Sequence, residues 1–387
     1  MDHQKLTQNN YPVQTKEKIF FPNLDGLRFF SFAIVFFCHS FIADNPLIKE
    51  TIWYQIVKVR IFSNGDTGVS FFFVLSGFLI TYLLLKENEM TGKIDIKSFY
   101  IRRILRIWPL YYFCVIFSFL IFPLLKAHFG QTPDDASNRI LCSIFLNNFD
   151  RINVIPDAIT LSVLWSVAIE EQFYLIWPIF FFFTPRKYFP LIFLIVLLAS
   201  TTFRIFFIHK TAIDIHTLGV ITDMAIGGIG AYLILNSKWF FAKIESLPKN
   251  YILLIYILTL SYLIFGVEIF STSIMQIFKR IIMASTFLLI ILEQNYSINS
   301  IFKVGNWKIV SQLGKYTYGL YCLHGIGILI SITLLRKFSL NHFSWQIWLL
   351  ELPISFAISV FISWFSYKYF ESWFLKLKTK FSYITKG

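Results

Sequence analysis

Arg28 and His39 bracket ten residues of an apolar run, Leu27-Arg-Phe-Phe-Ser-Phe-Ala-Ile-Val-Phe-Phe-Cys-His. Eleven α-helical steps are almost three turns and leave a residue of roughly 20°. The two side chains therefore share a face and stand about 16 Å apart along the axis. An arginine at a membrane rim and a histidine deeper inside are costly there and point to function. Imidazole titrates near neutral pH, so His39 is a candidate general base. Its bland alternative is a packing histidine bonded to a neighbouring backbone or hydroxyl. Arg28 either anchors the helix by snorkelling or grips a ligand phosphate.

A second basic group leads the third span, in Tyr100-Ile-Arg-Arg-Ile-Leu-Arg-Ile-Trp-Pro. Arg103 and Arg106 are three apart and face the same way. They read either as ordinary positive flanks or as a guanidinium clamp for a phosphorylated ligand. The fourth span carries Trp165-Ser-Val-Ala-Ile-Glu-Glu-Gln-Phe-Tyr. Ser166, Glu170 and Tyr174 recur at helical spacing and line one stripe. Two open roles exist for Glu170: bonding His39 to set its tautomer, or binding a substrate hydroxyl. Glu171 points about 100° away, toward pairing with an arginine.

Weaker candidates follow. Ser70 and Ser76 lie in Gly68-Val-Ser-Phe-Phe-Phe-Val-Leu-Ser-Gly-Phe, where Gly68 and Gly77 permit close helix packing. Tyr321 and His324 share a face in the ninth span, so His324 is a second candidate acid or base. Asp223 precedes a glycine-rich stretch in the sixth. No Gly-x-Ser-x-Gly elbow is present, and no cluster has metal-ligand spacing. Cys38, Cys114, Cys142 and Cys322 read as small buried hydrophobes.

The elements that must position these groups are membrane helices. The chain of 387 residues is 56% hydrophobic and only 15% charged. An all-α polytopic bundle of about ten spans is predicted, near 27–45, 68–85, 104–125, 161–183, 189–207, 219–235, 251–266, 279–293, 313–335 and 345–367. The connection 126–160 reads as a loop of ordinary composition. No internal repeat supports an inverted-repeat transporter. The polar N-terminal segment gives no sign of a cleavable signal peptide. One side of the expected bundle carries 23 Lys and Arg, the other 12. That asymmetry predicts both termini in the cytoplasm. The net charge of +13 is then a topology signal, with attraction to anionic lipid added, and nucleic acid is not an expected partner.

These motifs occur in an order that resembles the acyltransferase-3 family of integral membrane O-acyltransferases. They are Arg-x10-His, Gly-Val-x-Phe-Phe-Phe-Val-Leu-Ser-Gly-Phe-Leu, Arg-x-x-Arg, Trp-Ser-x-x-x-Glu-Glu-Gln-Phe-Tyr and Tyr-Gly-Leu-Tyr-x-x-His. The resemblance spans about residues 20 to 375. It divides the chain into a polar segment 1–22, a transmembrane domain 23–375 and a basic tail 376–387. It implies acyl transfer, usually of acetyl, from cytoplasmic acyl-coenzyme A to a hydroxyl of a carbohydrate or glycolipid acceptor such as lipopolysaccharide O-antigen or exopolysaccharide. Acyl-coenzyme A is then a co-substrate, and no cofactor is bound permanently. The implied location is the bacterial cytoplasmic membrane, with the lipid bilayer as a partner.

By motif, His39 and Glu170 are implied as catalytic, and Arg28, Arg103 and Arg106 as coenzyme A ligands. Glu171, Tyr174, Ser166, Ser76, Tyr321, His324 and Asp223 have supporting places. Two departures from the family pattern stand out. Ser70 stands where many members have Asp. Some members carry an appended extracytoplasmic hydrolase-like domain, so either the membrane part does the whole reaction or a separate partner protein finishes it. Direct transfer and a covalent acyl relay are both open. The competing classes are a transporter or flippase for a lipid-linked saccharide, and a sensor without turnover.

Overall fold

The computed structural model describes residues 21–43, 45–133 and 136–381. Most of the polar N-terminal segment, and the end of the basic tail from 382, lie outside them. Every long element is a helix: α1 Pro22–His39, α2 Gly65–Thr91, α3 Ile96–Ile116, α4 Ile159–Phe183, α5 Phe189–Phe207, α6 Thr217–Asn236, α7 Lys249–Ile269, α8 Ser273–Tyr296, α9 Thr317–Lys337 and α10 Leu352–Ser366. Nine helices among the described residues are long and apolar enough to cross a bilayer. The first expected span, α1, is not among them, because Asn23, Asp25, Arg28 and His39 lower its hydropathy. It packs lengthwise against its neighbours all the same. α2 runs antiparallel to it: Gly68 meets Ser31 and Val35, and the Phe78 ring lies 5.9 Å from Phe21.

Apolar side chains fill the core and also cover the outside. Leu191, Leu194, Ile195 and Leu198 of α5, with Leu253, Leu254 and Ile257 of α7, face outward. Ser31, Ser70, Arg204, Asp223, Arg280, Glu293 and His324 are buried. Hydrocarbon accepts apolar surface freely, while polar groups must find partners inside. Small residues let the backbones close up. A Cβ on Gly77 would collide with the Met224 carbonyl, and one on Gly227 with that of Val74, so α2 and α6 pack backbone to backbone.

α1 begins with Pro at its first turn, five residues earlier than the pattern predicts, and ends at His39. The expected span edge at 45 is therefore wrong, and His39 is the last helical residue, not one inside the helix. The stop has a local cause. Phe41 adopts φ 62°, a left-handed conformation that ends a helix. Its ring is fully buried, stacked on Phe62 and set against Trp348. Its backbone N–H donates to Glu351 Oε1 at 3.2 Å. Lys58 donates to the carbonyls of Cys38 and Ser40, capping the negative end of α1.

The connection 126–160 is more ordered than its composition suggests. It contains short helices at Arg139–Ser143 and Asn147–Asp150. Asn147 accepts from the Tyr111 hydroxyl at 3.3 Å, and Asn148 accepts from Gln172 at 2.8 Å. Phe145, at φ 59°, is held between Tyr111 and Trp108 with ring centroids 4.2 and 5.4 Å away.

Candidate active site

Two clusters emerge, joined by a line of hydroxyls. At the first, Arg28, Arg103 and Arg106 converge on Glu170 and Tyr174 within Coulombic range. Arg28 is ion-paired with Asp25 at 2.7 Å, one turn back on its own helix. Arg103 is buried, its guanidinium 5.5 Å from the ring centres of Phe99 and Tyr174. Its Nε has no hydrogen-bond partner. Neither Arg103 nor Arg106 has a carboxylate within 4 Å among the described residues. Burying a guanidinium without an anion is expensive.

Glu170, Glu171 and Gln172 point in three directions, as steps of about 100° require. Glu170 accepts from Ser76 at 2.7 Å, beside Tyr174. Glu171 accepts from the Trp108 indole at 2.8 Å, which fixes that ring against Phe145. Gln172 donates to the Phe145 carbonyl and to Asn148, both at 2.8 Å. So the expected arginine partner of Glu171 is replaced by an indole, and two of the three residues brace the loop. The expected contact between Glu170 and His39 is also absent. Ser76 is eight residues beyond Gly68 on α2, about 12 Å along the axis. Glu170 therefore stands level with the Arg28 end of α1, far from His39.

The residue that does touch His39 is His324. The two imidazoles meet Nδ1 to Nε2 at 3.1 Å. His324 Nδ1 faces the carbonyls of Leu320 at 3.1 Å and Tyr321 at 2.8 Å. A carbonyl can only accept, so the His324 proton sits on Nδ1 and its Nε2 carries the lone pair. His39 Nδ1–H must then donate to that lone pair. With both rings neutral and the His39 proton on Nδ1, Nε2 is the ring nitrogen without a proton; the ring also bonds the Val35 carbonyl. Between the clusters, Ser166 is one turn before Glu170 and hydrogen-bonds the Tyr321 hydroxyl at 2.6 Å. Tyr321 is in turn one turn before His324. The stripe read from the sequence thus runs from the arginines to the histidines.

Asp223 lies elsewhere. It pairs with Arg280 at 3.1 Å, and Arg280 also binds Asp214 at 3.1 Å. Arg204 joins Asp214 at 3.0 Å. Ser70 sits beside Asp223, on a face of α2 about 120° from Ser76. This network ties α5, α6 and α8 together. Burial works against ionisation of Asp214, but Arg280, Lys279 and Arg204 outweigh it and hold the carboxyl well below the usual range. Arg102 is likewise structural, bonded to Glu87 at 3.0 Å.

Sequence reasoning missed Lys58 and Arg151. Both lie within Coulombic range of His39. A lone basic residue in a connection carries no periodic signal, so neither could be singled out. Burial pulls the Arg151 guanidinium below its ordinary pKa, with Tyr321 pulling the other way. Two surface grooves lie away from all these groups. One, of about 520 Å³, is lined by Phe356, Val360 and Trp364; the other, of about 560 Å³, by Asn88, Phe181 and Arg186.

Comparison with known proteins agrees with the motif order. The chain is 35% identical over 179 residues to the O-acetyltransferase OatA of Staphylococcus aureus (strain NCTC 8325 / PS 47), covering 44% of this chain and 26% of that protein. OatA from strain COL of the same species matches to the same extent. The match spans about a quarter of the length of these relatives. No solved structure matches significantly. A family profile described as an acyltransferase domain matches residues 21–368, nearly the whole described chain. The chain belongs to the acyltransferase-3 family.

Proposed function

We propose that this protein is an O-acyltransferase of the bacterial cytoplasmic membrane. It moves an acyl group, acetyl for preference, from acyl-coenzyme A to a hydroxyl of a carbohydrate-containing acceptor such as O-antigen or exopolysaccharide. The observation that carries the reading is a base and an anion seat on one polar line. His39 meets His324 through Nδ1, the tautomer that leaves the proton off Nε2, and the line ends at Arg103 and Arg106, which have no carboxylate within 4 Å among the described residues.

The chemistry is a simple displacement. Arg103 and Arg106 hold the phosphates of coenzyme A, with Arg28 nearby. The pantetheine arm spans the roughly 16 Å toward His39. His39 Nε2 takes the acceptor hydroxyl proton as the oxygen bonds to the thioester carbonyl carbon. The C–S bond breaks, and the leaving thiolate takes the proton back from the imidazolium. His324 holds the ring in the tautomer that this step needs. Ser76 and Tyr174 keep Glu170 in place opposite the arginines, where it tempers their mutual repulsion. The name of the OatA relatives supports acetyl as the group moved.

The test uses membrane vesicles containing the full chain, supplied with acetyl-labelled acetyl-coenzyme A. Alkali-labile label should accumulate on the surface saccharide and be absent from vesicles carrying His39→Ala. Equal labelling by the variant overturns the assignment. Saccharide export without coenzyme A release favours a transporter instead.

A further inference from the structure

The arginines of this protein differ in their partners. Arg28, Arg60, Arg102, Arg204 and Arg280 each have a carboxylate within 3.1 Å. Among the described residues Arg103, Arg106 and Arg151 have none, and neither do the exposed Arg139 and Arg186. Arg103 and Arg106 belong to the coenzyme A end. Arg151 does not. It follows the short helix Asn147–Asp150, and its Nε and Nη1 are both buried and without hydrogen-bond partners. Leaving two charged donors dry costs more than leaving one neutral group unpaired.

Nothing about Arg151 suggests a side chain that is simply loose. Its segment is clamped by Tyr111 from α3, by Gln172 from α4 and by Thr217, which bonds Gln172 at 2.5 Å. Phe145 is held in a left-handed conformation in the same segment, a strain that persists only where the surroundings enforce it. The guanidinium so placed lies within Coulombic range of His39 and Tyr321. The other cation near His39, Lys58, is already committed to two carbonyls. Of the two cations near His39, Arg151 is thus the one whose donors are left unpartnered among the described residues.

We propose that Arg151 binds an anionic group of the acceptor, a sugar carboxylate or phosphate ester close to the hydroxyl that is acylated. The acceptor is then a negatively charged saccharide. This rests on the reading above only in taking His39 as the place where the acceptor reacts.

The experiment follows thermal unfolding of the full chain in detergent, with coenzyme A at saturation to occupy Arg103 and Arg106. Glucuronic acid and glucose 1-phosphate are titrated, with glucose as the neutral control. At least one charged sugar should raise the midpoint where glucose does not. Arg151→Gln should weaken that binding roughly tenfold or more, the worth of a charged hydrogen bond. Arg151→Lys should keep part of it, and takes the place of the glutamine variant if the latter gives no cooperative transition. The proposal is overturned if glucose stabilises equally, if neither charged sugar stabilises the wild type, or if the variants respond as wild type does. A coenzyme A shift preserved in the variants certifies their fold. Failure of coenzyme A itself to stabilise the wild type counts against the arginine end alone, and leaves the charged-sugar comparison to judge Arg151.

Discussion

The arginine end and the histidine end use opposite strategies. At the first, Arg103 and Arg106 have carboxylates in Coulombic range but none within 4 Å among the described residues, and Arg103 is left without a hydrogen-bond partner at Nε. Their donors are not taken up by ion pairs. At the second, the two imidazoles satisfy each other, and the last ring nitrogen in the series is the one left over. There the protein spends its hydrogen bonds on direction, not on charge. Binding a polyanion needs surplus positive charge. Activating a hydroxyl needs one lone pair with a fixed orientation.

That contrast can be broken at either end. His39→Ala should cost the most, on the order of 10²–10⁴ in acyl transfer rate, as expected for a lost general base. Binding of coenzyme A should be unchanged, and a parallel loss of binding would merge the two ends into one. His324→Ala should cost roughly 10–100-fold in rate, the range commanded by groups that orient an imidazole. His324→Asn, whose carbonyl can still accept from His39 Nδ1, should recover part of it. Identical rates for the two variants would mean that His324 only fills space.

At the other end, Arg103→Gln should raise KM for acyl-coenzyme A roughly tenfold to a hundredfold, with the rate at saturation nearly intact. A fall in saturated rate at unchanged KM would move Arg103 into the chemical step. The smallest effect is structural. Asp214→Asn leaves Arg204 and Arg280 short of a counterion, and should lower stability by about 2 kcal/mol. Partial exposure of the carboxylate keeps this below the full worth of a buried pair. The sign with pH follows from the depressed carboxyl. Its contribution is complete above the unfolded value of about 3.9 and fades as pH falls through the lower folded one. Wild-type and Asp214→Asn midpoints in detergent should therefore converge only in strong acid.

Much of this was legible in the residues. Hydropathy found the long helices, because a span needs length and apolarity and little else. Helical spacing put Arg28 with His39 on α1, and Ser166, Glu170 and Tyr174 on one stripe of α4. Spacing within one helix says nothing of what stands opposite. Of the two roles open for Glu170, the bond to His39 is therefore not formed, and the carboxylate accepts from Ser76 instead. Glu171, expected near an arginine, accepts from an indole. The end of α1 was missed because Phe41 departs from the helix under the pull of Phe62, Trp348 and Glu351.

The order of residues alone determined that this is a bundle of membrane helices, which side chains share a helical face, and which family the chain resembles. Those properties are local or compositional, and they survive without knowledge of packing. The pairing of His39 with His324 and the unpartnered donors of Arg151 were decided only in three dimensions. Each depends on which helices meet and at what depth. That is fixed by contacts between residues hundreds of positions apart, such as the 285 that separate the two histidines.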